Sequence, residues 1–301
     1  MSLPFAYDHG APLAFGGALP QPRSFEESQV VILPVPVDRT TSYVPGTRNG
    51  PREILQASSH MELWDEELGL DVHSVGLFTL PEMELPFGEL EPLIDEIRRV
   101  AAEIFSRDKF LVTLGGEHSI TPPLVSAAAA KYPGLHVLQI DAHADLRDSY
   151  MGTPHNHACA IRRSLEHAAA TQVGIRSMSI EEARAVPGLK TTIFYDHSMR
   201  QDPNWVQRVV DSLGDPVYIT IDVDGLDPAI MPATGTPEPG GLSWYEMLTL
   251  VRAAISARTV VALDVVELSP LPGLIAPNFL CAKLIYKMLG YRFGKSLNSS
   301  R

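Results

Sequence analysis

Residues 139–145 read Gln139-Ile140-Asp141-Ala142-His143-Ala144-Asp145 and close a largely apolar run that begins at His136. A short run of this kind predicts a buried β-strand. Because side chains alternate between the two faces of an extended chain, Asp141, His143 and Asp145 are expected to point the same way. Carboxylates and an imidazole on one face would repel and desolvate each other without compensation. A divalent cation is the simplest compensation.

Three more apolar runs end in acidic residues or histidine. The runs, with the residues that follow them, are 110–114 with His118, 217–221 with Asp222 and Asp224, and 259–263 with Glu267. In open α/β sheets the ligand site lies at the carboxyl ends of the strands. We therefore expect the four strand ends to meet at one edge of a sheet and to bind metal there.

Length and composition narrow the class of protein. The 301 residues are 45% hydrophobic, which supports a substantial core, and a net charge of −12 disfavours nucleic acid or an anionic membrane as main partner. The cysteines, Cys159 and Cys281, make no disulfide framework. No signal peptide is recognisable, and no apolar run approaches the length of a membrane span. These features predict a cytoplasmic protein.

Strand-like and helix-like segments alternate along the chain. Strands are expected at 30–33, 71–80, 110–114, 136–140, 171–175, 192–195, 217–221 and 259–263. Helices are expected from Pro51 onward and at 91–107, 122–131, 157–170, 179–186, 203–213, 244–257 and 277–289. This order predicts an α/β fold with three layers, α-β-α, around a largely parallel central sheet. Residues 1–301 are predicted to form one domain, with an N-terminal arm at 1–28 and a polar C-terminal tail at 291–301.

The strand ends supply a set of candidate metal ligands, which are His118, Asp141, His143, Asp145, Asp222 and Asp224. Carboxylates with some imidazole suit Mn²⁺, and Fe²⁺, Co²⁺ and Zn²⁺ remain open; the set fits neither structural zinc nor calcium. So many ligands favour two ions about 3.5–4 Å apart, with Asp141 and Asp222 shared between them. Such a pair lowers the pKa of a bound water, which favours hydrolysis.

Structural roles for these residues are weaker interpretations. The stretch that begins at Asp222 resembles the start of a calcium-binding loop, but its sixth position is Asp227 and its twelfth is Ala233. Glu117 points away from His118 on an extended segment and is interpreted as structural. Asp227 precedes a proline and is expected to stabilise its loop.

At these residues the sequence resembles the ureohydrolase family of arginases and agmatinases, and most closely the agmatinases. The resemblance covers about residues 30–290 and rests on Gly115-Gly116-Glu117-His118-Ser119, on 141–145, on Asp222-Val223-Asp224-Gly225-Leu226-Asp227-Pro228, on 235–241 and on 45–51. It implies an arginase-like fold, a homo-oligomer (trimer or hexamer) and two Mn²⁺ per subunit. The implied ligands are His118, Asp141, Asp145 and Asp222 for one ion, and Asp141, His143, Asp222 and Asp224 for the other.

The resemblance also implies a reaction, the hydrolysis of a guanidino group to urea and an amine. Asp145 would orient the attacking hydroxide. Glu267 matches the guanidinium-binding glutamate, and a carboxylate pairs with a planar guanidinium through two parallel hydrogen bonds; a surface salt bridge is the competing interpretation of this residue. His157 matches the histidine that protonates the leaving amine, with His155 as its competitor.

Agmatine, cleaved to putrescine and urea in polyamine biosynthesis, is the expected small-molecule substrate. Ser177 and Ser179 stand where arginases carry an aspartate for the α-amino group of arginine. Asp148 is a candidate partner for the amine of agmatine, whereas Arg147 leaves room for 4-guanidinobutyrate. Three further possibilities stay open: arginine as the substrate, a single-zinc amide deacetylase of the same fold, and a non-catalytic homologue.

Overall fold

The computed structural model describes residues 13–17, 23–84, 88 and 90–299. In this part of the chain the strands are β1 (Val30–Val35), β2 (Trp64–Asp65), β3 (Leu70–Asp71), β4 (Leu77–Thr79), β5 (Phe110–Gly115), β6 (His136–Ile140), β7 (Ala169–Ile175), β8 (Thr191–Tyr195), β9 (Val217–Asp222) and β10 (Val260–Val266). The helices are α1 (Gly50–Ser58), α2 (Leu90–Ser106), α3 (Thr121–Lys131), α4 (Ala160–Ser164), α5 (Ile180–Ala185), α6 (Asp196–Met199), α7 (Trp205–Ser212), α8 (Trp244–Ala257) and α9 (Ala276–Ser299).

A single sheet of eight strands forms the centre of the molecule, in the order β4-β1-β5-β10-β9-β6-β7-β8. Every neighbouring pair in it is parallel, whereas β2 and β3 form a separate antiparallel pair. Strands β5, β10, β9 and β6 are consecutive, so the strands predicted to end in functional residues lie side by side. The predicted largely parallel α/β sheet is confirmed.

Apolar side chains cover both faces of the sheet. Ile32 and Val112 belong to one core, whereas their neighbours Val31 and Leu111 belong to the other. Helices α1, α8 and α9 contribute to the first core, and α2 and α3 to the second. Burial on both faces explains why the strands are nearly continuous apolar runs in the sequence. Among the described residues, no helix combines the length and apolar character needed to cross a membrane.

Several segments before the last helix differ from their sequence-based predictions. Instead of one strand at 71–80, the chain forms a 3₁₀ helix, Val72–Val75, before the short edge strand β4. The predicted helix 157–170 is reduced to α4, because β7 begins early by pairing Ala169 with His136 of β6. Helix α7 begins two residues later than predicted, since the Asp202 carboxylate accepts the N–H of Asn204 in a turn.

The last helix is longer than predicted. Gly290 does not end α9; a Cβ there would overlap the side chain of Leu68, so the glycine permits close packing against the β2–β3 pair. One turn earlier, the buried Lys287 places its Nζ 3.0 Å from Asp65 Oδ1 and ties the same elements together. Residues 291–299 therefore continue the helix rather than form a polar tail, and residues 300–301 lie outside the described part.

The predicted N-terminal arm is described at 13–17 and 23–28. Phe15 and Phe25 are buried against the body, and the ring of Phe25 meets that of Phe78 edge-on, with centroids 5.6 Å apart. The rest of the arm lies outside the described residues. The assignment of residues 1–301 to one domain stays a prediction.

Candidate active site

The four central strands bring their terminal residues to one point. Asp141 follows β6 directly, Asp222 ends β9, and a 3₁₀ helix, His118–Ile120, presents His118 after β5. His118 Nδ1 lies 3.2 Å from Asp141 Oδ2, 3.0 Å from Asp145 Oδ2 and 3.5 Å from Asp222 Oδ2. All four side chains are buried. The residues predicted from separate strands thus form one cluster.

A second group adjoins the first and shares Asp141 with it. His143 Nδ1 lies 2.9 Å from Asp224 Oδ2 and 3.7 Å from Asp141 Oδ1. The two oxygens of Asp141 therefore face two different imidazoles. Asp224, in the 3₁₀ helix Val223–Gly225 that follows β9, also donates its N–H to Asp222 Oδ1 at 2.9 Å, which joins these two acidic residues. The donor atoms of His118, Asp141 and Asp145 are close enough to one another to hold a metal ion, and so are those of Asp141, His143 and Asp224.

The chemistry of the cluster fits divalent cations. Within the described residues, the buried His118 Nδ1 has no hydrogen-bond partner, although carboxylate oxygens surround it. Burial raises the pKa of Asp222 well above its usual value, and the nearby charges of Asp224 and Asp141 raise it further. Buried carboxylates that repel one another around an imidazole are what a cation would stabilise.

The alternation of side chains along a strand does not by itself bring Asp141 and Asp145 to the same point. The strand ends at Ile140, and Asp145 has a left-handed backbone with φ of 52°. Its carbonyl accepts the N–H of Arg162 at 2.9 Å, which helps to hold this conformation. A non-glycine residue with positive φ is uncommon and persists where surrounding contacts over-determine it. The residues expected to meet lie close together, but a bent loop rather than an extended strand brings them there.

Glu267 has a left-handed backbone as well, with φ of 65°. Its N–H donates to the Gly116 carbonyl at 2.8 Å, and its Oε1 accepts the N–H of His118 at 2.7 Å. The side chain is buried, which excludes a surface salt bridge as its role. The carboxylate is therefore fixed beside the cluster by the turn after β5.

His157 contacts the same carboxylate. Its Nδ1 lies 3.2 Å from Glu267 Oε1, and its Nε2 lies 3.2 Å from Ser42 Oγ. Burial alone would lower the pKa of His157, but the hydrogen bond and charge of Glu267 outweigh it and raise the pKa to about 9. His155 is not among the described residues that line the cleft, and its Nε2 lies 4.0 Å from Glu91 Oε1.

Glu117 stabilises the loop that supports His157. Its buried carboxylate accepts the N–H groups of Arg39 and Thr40, both at 2.7 Å, and the hydroxyl of Thr40 at 2.8 Å. The Thr40 hydroxyl in turn accepts the N–H of His157 at 2.9 Å. The structural role predicted for Glu117 matches these contacts.

A cleft of about 220 Å³ opens over the cluster, and Asp145, Asp222, Glu267 and His157 are among its lining residues. Glu182 also lines it, although sequence reasoning did not identify this residue. Its buried carboxylate accepts the N–H groups of Leu146 at 2.8 Å and Ser179 at 2.7 Å. The spacing of Ser179 and Glu182, which form a capping box at the start of α5, was the available sequence signal.

The two residues considered for the far end of the substrate lie in different places. Arg147 lines the cleft, with its guanidinium 4.5 Å from the ring centroid of Tyr150 and its Nε 3.9 Å from Glu182 Oε2. Asp148 is not among the described residues that line the cleft. Its side chain is 77% exposed and lies 2.6 Å from Arg163 Nη2 and 3.4 Å from Arg162 Nε. These ion pairs direct Asp148 away from the predicted substrate contact.

Comparison with known proteins gives a consistent result. The sequence model of the Arginase family matches residues 28–290. The chain is 38% identical over 276 residues to an N(1)-aminopropylagmatine ureohydrolase of Synechocystis sp., covering 89% of this chain and 90% of the relative. It is 38% identical over 252 residues to an agmatinase of Bacillus cereus, covering 82% and 86%. The solved agmatine ureohydrolase of Thermoplasma volcanium aligns with a TM-score of 0.84 at 33% identity, covering 92% of this chain and 94% of that one. The chain belongs to the arginase family.

Proposed function

We propose that this protein is a manganese-dependent ureohydrolase that cleaves agmatine to putrescine and urea. The observation that carries the proposal is the buried histidine–aspartate cluster with Glu267 and His157 beside it in one cleft. The names of the relatives, which refer to agmatine and to N(1)-aminopropylagmatine, support the same class of substrate. The enzyme acts in the cytoplasm as a homo-oligomer, a trimer or a hexamer.

The metal site consists of two Mn²⁺ positions. His118, Asp141, Asp145 and Asp222 would hold one ion, and Asp141, His143, Asp222 and Asp224 would hold the other. Bound manganese supplies a water of lowered pKa as nucleophile near neutral pH. The preference for manganese follows from a ligand set of carboxylates with two imidazoles and no thiolate.

The chain's own residues bind the guanidino group and move the protons. Glu267 pairs with the guanidinium through its carboxylate. Asp145 accepts a hydrogen bond from the attacking water and orients it towards the guanidino carbon. His157, which contacts Glu267, donates a proton to the nitrogen of the leaving amine. A pKa of about 9 keeps His157 protonated at neutral pH, as a general acid requires.

The far end of agmatine carries an amine, and an ammonium group in a cleft requires an acceptor. Among the described lining residues, Glu182 is the carboxylate that lies outside the ligand cluster and away from His157. We assign it, rather than Asp148, to the amine of the substrate. Arg147 lies beside Glu182 and partly neutralises it, which keeps 4-guanidinobutyrate as a competing substrate. The Synechocystis relative makes N(1)-aminopropylagmatine the second candidate.

Agmatine is expected to be preferred over arginine by at least about 10²-fold in kcat/KM. The guanidino end is held identically in both, so discrimination arises at the far end. There the α-carboxylate of arginine would approach Glu182, and its α-ammonium would find Ser177 and Ser179. A charge desolvated without a partner costs several kcal/mol, and each 1.4 kcal/mol is about tenfold in rate. Urea release at saturating Mn²⁺ measures the preference.

The panel should also contain 4-guanidinobutyrate and N(1)-aminopropylagmatine, so that each candidate substrate has a distinct outcome. Equal rates for arginine and agmatine would contradict the argument about the far end. If 4-guanidinobutyrate has the highest kcat/KM, Arg147 is the substrate contact. If N(1)-aminopropylagmatine has the highest kcat/KM, this second candidate is the substrate. No urea from any of the four would overturn the proposed hydrolase activity.

The Glu182→Gln variant should mainly raise KM for agmatine.

Binding of Mn²⁺ to the metal-free protein is expected to release protons and to strengthen as pH rises. Burial alone would lower the pKa of His143, but Asp224 and Asp141 outweigh it and raise the pKa to about 12. The pKa of His118 is also raised well above its usual value by its carboxylate neighbours, against the effect of burial. Both imidazoles therefore carry a proton at pH 7 that a metal must displace, and each proton released adds about tenfold in affinity per pH unit.

Calorimetric titration with Mn²⁺ in Pipes and in Tris measures this release, because the two buffers differ in their enthalpy of ionisation. The heats should differ between the buffers by an amount that gives the number of protons. Identical heats, together with an affinity independent of pH between about 6 and 8, would contradict protonated imidazoles in the metal-free cluster.

A further inference from the structure

A buried carboxylate lies beside the ligand cluster and has no part in the proposed reaction. Asp264 stands within β10, whose other residues are all apolar, and its side chain has no exposure to solvent. Burial of a carboxylate is unfavourable unless hydrogen bonds compensate. The hydrogen bonds that Asp264 accepts therefore decide whether it can stay charged at this position.

Three hydroxyl groups lie within hydrogen-bond distance of Asp264. Thr220 Oγ1 is 2.6 Å from Oδ1, while Tyr218 OH and Thr121 Oγ1 are 2.7 and 3.0 Å from Oδ2. The Thr220 hydroxyl is also 2.9 Å from Nε2 of His118. All five residues are buried, so water does not compete for these contacts. A continuous chain of hydrogen bonds thus joins Asp264 to His118.

The direction of this chain follows from the other nitrogen of the imidazole. Nδ1 of His118 faces the aspartate ligands, so a metal bound there uses the Nδ1 lone pair and leaves the proton on Nε2. Nε2–H then donates to Thr220 Oγ1. The single hydroxyl proton of Thr220 is left to donate to Asp264 Oδ1, which accepts it as a carboxylate. We propose that Asp264, acting through Thr220, is a positioning residue that sets the tautomer and ring orientation of His118 for metal binding.

The register of the sheet supports a positioning role. Thr113, Asp264, Thr220 and Gln139 pair with one another across β5, β10, β9 and β6 and form a buried polar row. Thr220 and Gln139 each stand two positions before an aspartate ligand, so each shares a strand face with that position. Gln139 also supports a ligand directly, because its amide donates to Asp141 Oδ2 at 2.6 Å.

The inference rests on the metal site of the proposed function and is tested by metal binding rather than by activity. Electron paramagnetic resonance of free Mn²⁺ gives the Kd of each ion for metal-free protein. Thr220→Val keeps the shape of the side chain but removes the hydroxyl that accepts from His118 Nε2. It should raise the Kd of one ion by about 10–100-fold, which is the usual effect of losing the hydrogen-bond partner of a metal-binding histidine. Asp264→Asn should act in the same direction. Thr220→Ser restores the hydroxyl and should bind close to the wild type.

Thr113→Val is the matched control. Thr113 lies in the same polar row, and its hydroxyl has no hydrogen-bond partner among the described residues. This variant should bind Mn²⁺ like the wild type. Equal Kd values for Thr220→Val and Thr113→Val, both folded by circular dichroism, would overturn the inference even where the enzyme releases urea.

Two further outcomes are also decisive. If Asp264→Asn does not fold, the comparison of Thr220→Val with Thr220→Ser still decides the role of the hydrogen-bond chain. Serine restores the hydroxyl but not the methyl group of threonine, so recovery of Mn²⁺ binding in Thr220→Ser would not be expected if only packing mattered. A wild-type protein that binds no Mn²⁺ would instead overturn the proposed metal site, and this inference with it.

Discussion

Replacement of Asp222 by asparagine is expected to lower kcat/KM for agmatine by about 10³-fold or more and to weaken the binding of both metal ions. Asp222 Oδ2 lies 3.5 Å from His118 Nδ1, and its Oδ1 accepts the N–H of Asp224, so the carboxylate stands between the two ligand groups. The amide has nearly the same shape but lacks the negative charge that both ions would share. Metal ions contribute several kcal/mol of transition-state stabilisation, which corresponds to this loss in rate.

Elemental analysis and urea kinetics over a range of Mn²⁺ concentrations together measure this effect. Asp227→Asn is the matched control, since the same charge is removed in the same loop and Asp227 instead accepts the N–H of Ala229 at 2.8 Å. The control should keep two ions per chain and nearly normal kinetics. One ion per chain in the saturated, active wild type would contradict the shared-ligand arrangement and favour a single-metal enzyme.

The sheet and the proximity of the candidate ligands were predictable because two simple constraints act on the same residues. Strands buried on both faces are largely apolar, so a charged residue that follows the apolar run, such as Asp141 after β6, marks the strand's end. Asp264 within β10 is an exception, because three hydroxyl groups lie within hydrogen-bond distance of its carboxylate. Parallel strands then bring all carboxyl ends to one edge. These constraints act locally along the chain and therefore leave a pattern in the sequence.

Features that depend on distant contacts were harder to predict. The charge of Asp148 suggested a substrate partner, but the folded chain brings Arg162 and Arg163 beside it. Glu182 is the opposite case, a cleft residue that the sequence did not indicate. Its capping box predicts only a structural role, and its place in the cleft depends on how α5 packs there. Neither placement leaves a signal in a short window of sequence, since each is decided by how separate loops pack.

The error at 157–170 has a similar cause. Ala169 and Ala170 favour a helix by intrinsic preference, yet they form the start of β7 because β6 offers backbone partners. Tertiary pairing outweighed local propensity at this position. The same shortening leaves His157 in a 3₁₀ turn capped by Asn156, whose side chain accepts the N–H of Ala158.

Replacement of His157 by asparagine is expected to lower kcat by about 10²–10⁴-fold, the usual contribution of general acid catalysis, with Mn²⁺ content unchanged. His157 lines the cleft and contacts Glu267, whereas the matched residue His155 lies nearer Glu91. His155→Asn should therefore retain most of the activity. Equal or greater damage from His155→Asn would reassign the proton donor.

The pH profile gives an independent test of the same role. Because Glu267 raises the pKa of His157 to about 9, the imidazole stays protonated through neutral pH and loses its proton above that value. Only the protonated form can donate to the leaving amine, so wild-type kcat/KM, which reports the free enzyme, should fall as pH rises through about 9. In His157→Asn this alkaline decrease should disappear, because no titrating donor remains. An unchanged alkaline limb in the variant would show that another group supplies the proton.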